Sequence, residues 1–271
     1  MRRATFSLVP GLINQGVKRD MKMKNGSFGP KAALLFAAVA GLAISASASV
    51  TSDATLQQEI QGKLKNKQFQ QVTVKSNNAV VTLGGTVEKY QAKVDAEKKA
   101  KKVAGVKEVD DQIEVGGKDV ADAQLQATLN RKLAYDRYGY GHVFNNVTAS
   151  VQDGKVTLDG EVRWQPDKDS ALALVNSQEG VKDVVDQVKI LPTSISDDDL
   201  RARVFRAIYG DASLGRYGTD PATPIRIVVA NGHVALYGSV QSQADKTIAF
   251  MRANGVFGAF SVENHLTVNK G

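Results

Sequence analysis

Cysteine is absent from all 271 residues. No disulfide can staple the chain, and no lipid can be attached through an amino-terminal cysteine. Histidine is scarce as well. His142, His233 and His265 stand far apart, each without a second His or Cys at ligand spacing, so no metal site is expected. No Gly-x-Ser-x-Gly, P-loop or His-Glu-x-x-His occurs, and the chain reads as a non-enzyme without a cofactor. Beyond residue 48 no apolar run approaches the ~20 residues that cross a bilayer as a helix. An excess of one charge is also missing from the body of the chain. Of 35 Lys and Arg and 28 Asp and Glu, seven basic residues and one acid fall within 1–48, which leaves 28 against 27, a net of +1. Nucleic-acid binding needs clustered cations, and that balance argues against it.

The amino-terminal charge has its own explanation. Lys22, Lys24 and Lys31 precede an apolar run from Ala32 to Ile44, followed by Ser45-Ala46-Ser47-Ala48. A basic stretch, a short apolar stretch and an Ala-x-Ala exit make a secretory signal over 1–48, with cleavage expected after Ala48. The long leading segment makes Met21 or Met23 an alternative true start. The expected address is the periplasm, as a soluble mature protein with no membrane span.

What the chain has in quantity is repetition, and fixed-period self-similarity sets the architecture. Val80–Val87 reads Val-Val-Thr-Leu-Gly-Gly-Thr-Val. Lys155–Val162 and His233–Val240 repeat the pattern. Each is an alternating strand that meets a glycine: Gly85, Gly160 and Gly238. A second glycine follows 20 residues later in every copy, at Gly105, Gly180 and Gly258. Ahead of each strand lies an apolar helical stripe: Leu56, Ile60 and Leu64; Leu125, Leu129 and Leu133; Leu200, Val204 and Ile208. Ser52 or Asp53, Asp122, and Asp197 or Asp198 are expected to cap these helices. Hairpin turns are predicted at Asn77-Asn78, Asp153-Gly154 and Asn231-Gly232. Between the glycines a second helix buries Ala96, Ala100 and Val103; Ala171, Val175 and Gln178; or Ala249, Ala253 and Val256. The fold class is α+β: three tandem α-β-β-α-β modules at 53–116, 120–191 and 196–271. Each is a small three-stranded mixed sheet with two helices packed on one face. Cores this small are marginal, so the modules are expected to dock on one another.

That element order, with Leu83-Gly84-Gly85-Thr86-Val87, Leu158-Asp159-Gly160-Glu161-Val162 and Leu236-Tyr237-Gly238-Ser239-Val240, resembles the BON family (bacterial OsmY and nodulation domain). The later Gly-Val-x-x-Val supports the match, and copy three departs from it at Ala259. The resemblance implies a periplasmic or envelope protein, often linked to osmotic or envelope stress. Its modules would bind phospholipid surfaces or other envelope components, with structural glycines and no catalytic residues.

The residues themselves suggest where binding could occur. Lys93, Lys98, Lys101 and Lys102 crowd the second helix of copy one, with Tyr90 beside them. Such a face suits an anionic phospholipid surface, or else it is a solvated helix face. Trp164, the one tryptophan, could enter a lipid interface or pack between modules. Copies two and three carry longer Tyr-Gly loops with Tyr135, Tyr138 and Tyr140, then Tyr209 and Tyr217. These could contact partners or fold back over the sheet edge. Asp197-Asp198-Asp199 fits a helix start, where the dipole favours acids. The alternative to lipid binding is a chaperone-like or protein-interaction module that meets envelope proteins.

Overall fold

Three features recur in each copy and generate the fold: a leucine-type stripe, an alternating hairpin and a small-residue helix. The computed structural model describes residues 52–136, 142–192, 194–220 and 223–269. The expected signal segment, the alternative starts at Met21 and Met23, and the loop tyrosines Tyr138 and Tyr140 lie outside the described residues.

Module one runs α1 (Asp53–Lys63), β1 (Val72–Asn77), β2 (Val80–Val87), α2 (Tyr90–Lys101), β3 (Glu108–Asp111) and β4 (Glu114–Val115). Module two runs α3 (Asp122–Tyr135), β5 (Asn146–Gln152), β6 (Lys155–Val162), α4 (Gln165–Asn176) and β7 (Asp183–Ile190). Module three runs α5 (Ile195–Tyr209), β8 (Arg226–Ala230), β9 (His233–Tyr237), β10 (Ser239–Val240), α6 (Gln243–Asn254), β11 (Ser261–Asn264) and β12 (Thr267–Val268). In each module the hairpin pair is antiparallel and the last strand lies parallel to the hairpin's second strand. A helical crossover is what permits a parallel neighbour. The central strand is therefore β2, β6 or β9, and the α+β reading with three small mixed sheets holds. Both helices of a module pack on its sheet, closing cores around Leu56 and Ile60, Leu125 and Leu129, and Leu200 and Ile208.

The hairpin turns need two residues at positive φ: Asn78 and Ala79, Asp153 and Gly154, Asn231 and Gly232. In module one the turn sits one residue later than Asn77-Asn78, because Asn77 still pairs with Val80. The acids expected to cap the first helices hold these turns instead. Asp53 accepts the Asn78 and Ala79 N–H groups at 2.8 and 2.9 Å, and Asp122 accepts those of Asp153 and Gly154 at 2.6 and 2.9 Å. Asp197 accepts those of Asn231 and Gly232, both at 2.8 Å, and is only 2% exposed. Capping falls to Ser52 and Ser194, while the residue at the capping position of α3 is Ala121, which offers no side-chain bond. Ser52 caps α1 as one of the two expected residues, whereas the aspartates do not cap, because a carboxylate in the first turn of the helix reaches the turn amides on the sheet side. The Ser76 hydroxyl and the turn amides hold the Asp53 carboxyl below its ordinary value.

Two further devices repeat. Lys93, Lys168 and Lys246 each donate Nζ to a carbonyl of the module's closing segment: Ile113 between β3 and β4 (2.6 Å), Val188 in β7 (2.7 Å) and Leu266 between β11 and β12 (2.5 Å). Gly85 and Gly160 lie inside their strands rather than at an end, and Gly238 sits in the break between β9 and β10. Gly160 has φ +128, and a Cβ there would fall 1.8 Å from the Asn146 carbonyl oxygen. The neighbouring strand thus occupies the space a side chain would need.

The modules join by two different contacts. Between one and two, α2 rests on α4, and Tyr90 packs against the module-two core. Val120, just before α3, covers Gly180, while Asp119 pairs with Lys182 at 2.8 Å. Between two and three, a short 3-10 turn at His142–Phe144 pushes Val143 and Phe144 into the module-three core. Phe69 holds the position equivalent to Phe144, three residues before the first aligned valine of the hairpin, but fills its own module. Arg226 Nη1 donates to Asn145 O at 2.9 Å, and β5 and β8 lie side by side.

Three outcomes are expected. Gly160→Val should destabilise the protein by more than about 1 kcal/mol in a urea or thermal melt, through strain at a positive-φ position. Asp197→Ala should cost about 1–3 kcal/mol, because it strands two turn N–H groups that solvent cannot reach freely. Since the folded carboxyl of Asp53 titrates below its unfolded value, its contribution is complete above that unfolded value and disappears as pH falls through the folded one. Asp53→Asn should therefore shallow the acid limb of the melting temperature; an acid limb identical to that of the parent chain would contradict the clamp.

Candidate functional site

The basic face of α2 divides once its contacts are known. Lys93 is not on it, since its Nζ is tied to Ile113 in the same way as Lys168 and Lys246 are tied in their modules. Tyr90 is not on it either. It is half-buried against module two, where burial, with the Asp183 carboxylate nearby, pushes the phenol pKa up. Lys99 donates to Lys63 O at 3.1 Å and lies 5.2 Å from the centre of the Phe69 ring, which fastens α2 to the end of α1. Lys101 pairs with Glu97 one turn back. Lys98, Lys101 and Lys102 are exposed, and among the described residues Lys98 and Lys102 have no ion-pair partner. These three lie in and just beyond the last turn, where a helix end carries partial negative charge and favours cations.

Trp164 stands at the amino-terminal boundary of α4, half-exposed. The Arg163 guanidinium lies 4.3 Å from its ring centre and 5.6 Å from that of Phe144, and pairs with Asp198 at 2.7 Å. Trp164 therefore borders the joint between modules two and three, with one ring face under a cation. Asp198 also pairs with Arg201 at 2.6 Å, and the Arg201 guanidinium donates in turn to the Val229 carbonyl. The acidic run at 197–199 thus supplies a turn clamp and an ion pair across the joint.

The loop tyrosines separate in the same way. Tyr135 ends α3 half-exposed. Tyr209 donates its hydroxyl to Ile225 O at 2.6 Å and packs on Phe205, which meets Phe144 edge-on at 6.0 Å. Tyr217 is buried in the module-three core, where its hydroxyl donates to Asp245 Oδ2 at 2.8 Å and accepts the Gln241 N–H at 2.7 Å. Burial raises the pKa of the Asp245 carboxyl, but Tyr217, Ser242 and Arg216 together outweigh it and leave the pKa lowered. The longer loops of copies two and three therefore fold inward at Phe144, Tyr209 and Tyr217. In copy two the phenylalanine ahead of the strand was an available signal for this, whereas copy three has no phenylalanine between Tyr209 and Ile225.

Little else is assembled for chemistry. His233 shares a hydrogen bond with Ser261, and His265 stacks on Tyr237 at 4.9 Å between ring centres. Among the described residues no group of three or more His, Cys, Asp or Glu could hold a metal ion, and no helix is long and apolar enough to cross a membrane. Gly105, Gly180 and Gly258 all sit at positive φ after the second helix, a turn role.

Comparison with known proteins agrees with this module count. The chain is 33% identical over 129 residues to osmotically-inducible protein Y of Escherichia coli, covering 44% of this chain and 61% of that relative. It is 34% identical over 105 residues to outer membrane lipoprotein DolP of Haemophilus influenzae, covering 36% of this chain and 51% of that one. The chain thus spans about half to three-fifths of the curated relatives it matches. A solved structure of CdsD, a structural protein of the type III secretion system of Chlamydia trachomatis, aligns over 79% of this chain and 92% of its own at 17% identity. Its TM-score of 0.24 is too low to carry meaning for fold or role. The BON domain model matches residues 52–117, 121–192 and 196–270, so the chain is a member of the BON family with three tandem domains.

Proposed function

We propose that this is an exported, non-catalytic protein of the bacterial envelope that associates weakly with anionic phospholipid surfaces, in a role connected with osmotic or envelope stress. The observation that carries the reading is the open cationic end of α2: Lys98, Lys101 and Lys102 face solvent on one side of a short helix. Near an anionic membrane each is worth up to about 1 kcal/mol, enough for reversible peripheral contact and no more. Export is supported by the signal-like segment that ends at Ala48, and the envelope setting by the names of the two relatives. The absence of a reactive constellation from the sequence motifs fits a binding protein.

A protein-interaction or chaperone-like role without lipid is favoured by a different observation, the large apolar side chains that module three leaves in solvent. The two readings separate experimentally. Flotation with vesicles containing phosphatidylglycerol should carry the protein at low salt and release it at high salt, and Lys98→Glu/Lys101→Glu/Lys102→Glu should abolish association. Absence of flotation at low salt, or flotation indifferent to those lysines, counts against lipid binding through α2. Suppression of aggregation of a model client without lipid would then support the second reading.

A further inference from the structure

The three modules are internal controls for one another. The two glycines are 20 residues apart in every copy, and one backbone bond checks the alignment between them. Lys107 N donates to Ala79 O at 2.9 Å, Lys182 N to Gly154 O at 2.9 Å and Phe260 N to Gly232 O at 2.8 Å. At this corner, beside the second helix, modules one and two therefore carry lysine and module three carries phenylalanine. The outer helix face changes in the same sense: Glu97 in module one, Leu172 in module two, Phe250 in module three.

Exposure shows what the changes mean. Module two, whose α4 contacts α2 of module one, has Leu172 partly buried, and Val120 closes its corner over Gly180. Ile195 is the equivalent of Val120, two residues before the turn-clamping aspartate, yet it is 85% exposed. Phe257 is 92% exposed, Phe260 79% and Met251 57%. The two second helices that rest on each other differ at this position, with charge in α2 and leucine in α4. Only α6 is apolar and open. It packs on α5 and on strands of its own sheet.

We propose that α6 and the Phe257–Phe260 corner pair with the same surface of a second copy of this chain. In modules one and two the second helices already rest on each other, and an odd number of modules leaves one such helix over. The charge pattern fits self-pairing better than an anionic membrane. Arg252 is held by Asp211 at 2.8 Å, Lys246 by the Leu266 carbonyl, and Arg203 lies half-buried behind Gly258. Among the described residues the lysine of α6 is tied and Arg252 is paired, which limits like-charge repulsion between two copies. The area suffices: with about 150–250 Å² per aromatic side chain, the exposed apolar groups come to roughly 600 Å² per chain. A symmetric pair would bury about 1,200 Å², the lower end of specific interfaces.

Sedimentation equilibrium of the mature chain without lipid tests this. The expected result is a dimer mass that dissociates on dilution, with association at least about tenfold weaker in Phe257→Ser/Phe260→Ser. Both side chains are solvent-exposed, so a melting curve should show that variant still folded. The cysteine-free chain gives a second measurement, because Met251→Cys introduces a single thiol that should form a disulfide-linked dimer on mild oxidation if the interface is two-fold. Lys98→Glu/Lys101→Glu/Lys102→Glu should dimerise normally, so failure of the lipid reading would not imitate failure of this one. A monomer at all concentrations, a dimer indifferent to the phenylalanine substitutions, or a monomer whose vesicle flotation depends on Phe257 and Phe260 would each overturn the pairing.

Discussion

One carboxylate per module ties a helix to a hairpin, and the rest of the fold depends on that tie. A two-residue turn with both φ positive is strained for any residue with a side chain, and Ala79 adopts it at φ 65. Asp53, Asp122 and Asp197 each accept the turn's two N–H groups, so they fix the turn and dock the first helix at once. Register in a hairpin follows from its turn, and in a half-buried sheet a one-residue slip would reverse every side chain. Val81 and Leu83, Val156 and Leu158, and Val234 and Leu236 therefore face inward because the turn is held.

Around that tie, small cores are completed by neighbours. Tyr90 of module one seals an edge of module two, and Val143 and Phe144 of module two enter module three. The joints are chemically distinct. The first is a helix pair with an aromatic edge and a linker ion pair. The second is a phenylalanine plug flanked by Arg163–Asp198 and by Arg226 on a backbone carbonyl. Two arginines at one joint hold the plug's surroundings by charge and hydrogen bond, so its geometry is defined and not a loose apolar contact.

Much of this was legible in the sequence because periodicity is a local property. The stripes from Leu56 to Ile208, the alternating hairpin strands and the paired glycines each report their surroundings within a few residues. The roles of Lys93 and the three aspartates were not legible, because each acts on a backbone group 20 or more residues away. Tyr90, Tyr209 and Tyr217 look like surface aromatics in the sequence, and only tertiary packing shows that their rings are covered. Of the basic face on α2, the part that remains open is Lys98, Lys101 and Lys102, since neighbours that no helical wheel can include take up the others.

Phe144 bears on the order in which the molecule can be made. Synthesis proceeds from the amino end, so module two is complete while the socket for its plug is still to be translated. During that interval Val143 and Phe144 are sticky, uncovered side chains on an otherwise finished unit, and module three cannot close its own interior until it meets them. A cut between modules two and three would leave an apolar knob on the first fragment and an interior without its plug on the second. Stretches with three similar copies are usually thought interchangeable; here the middle copy cannot be swapped, deleted or released without unfinishing the last.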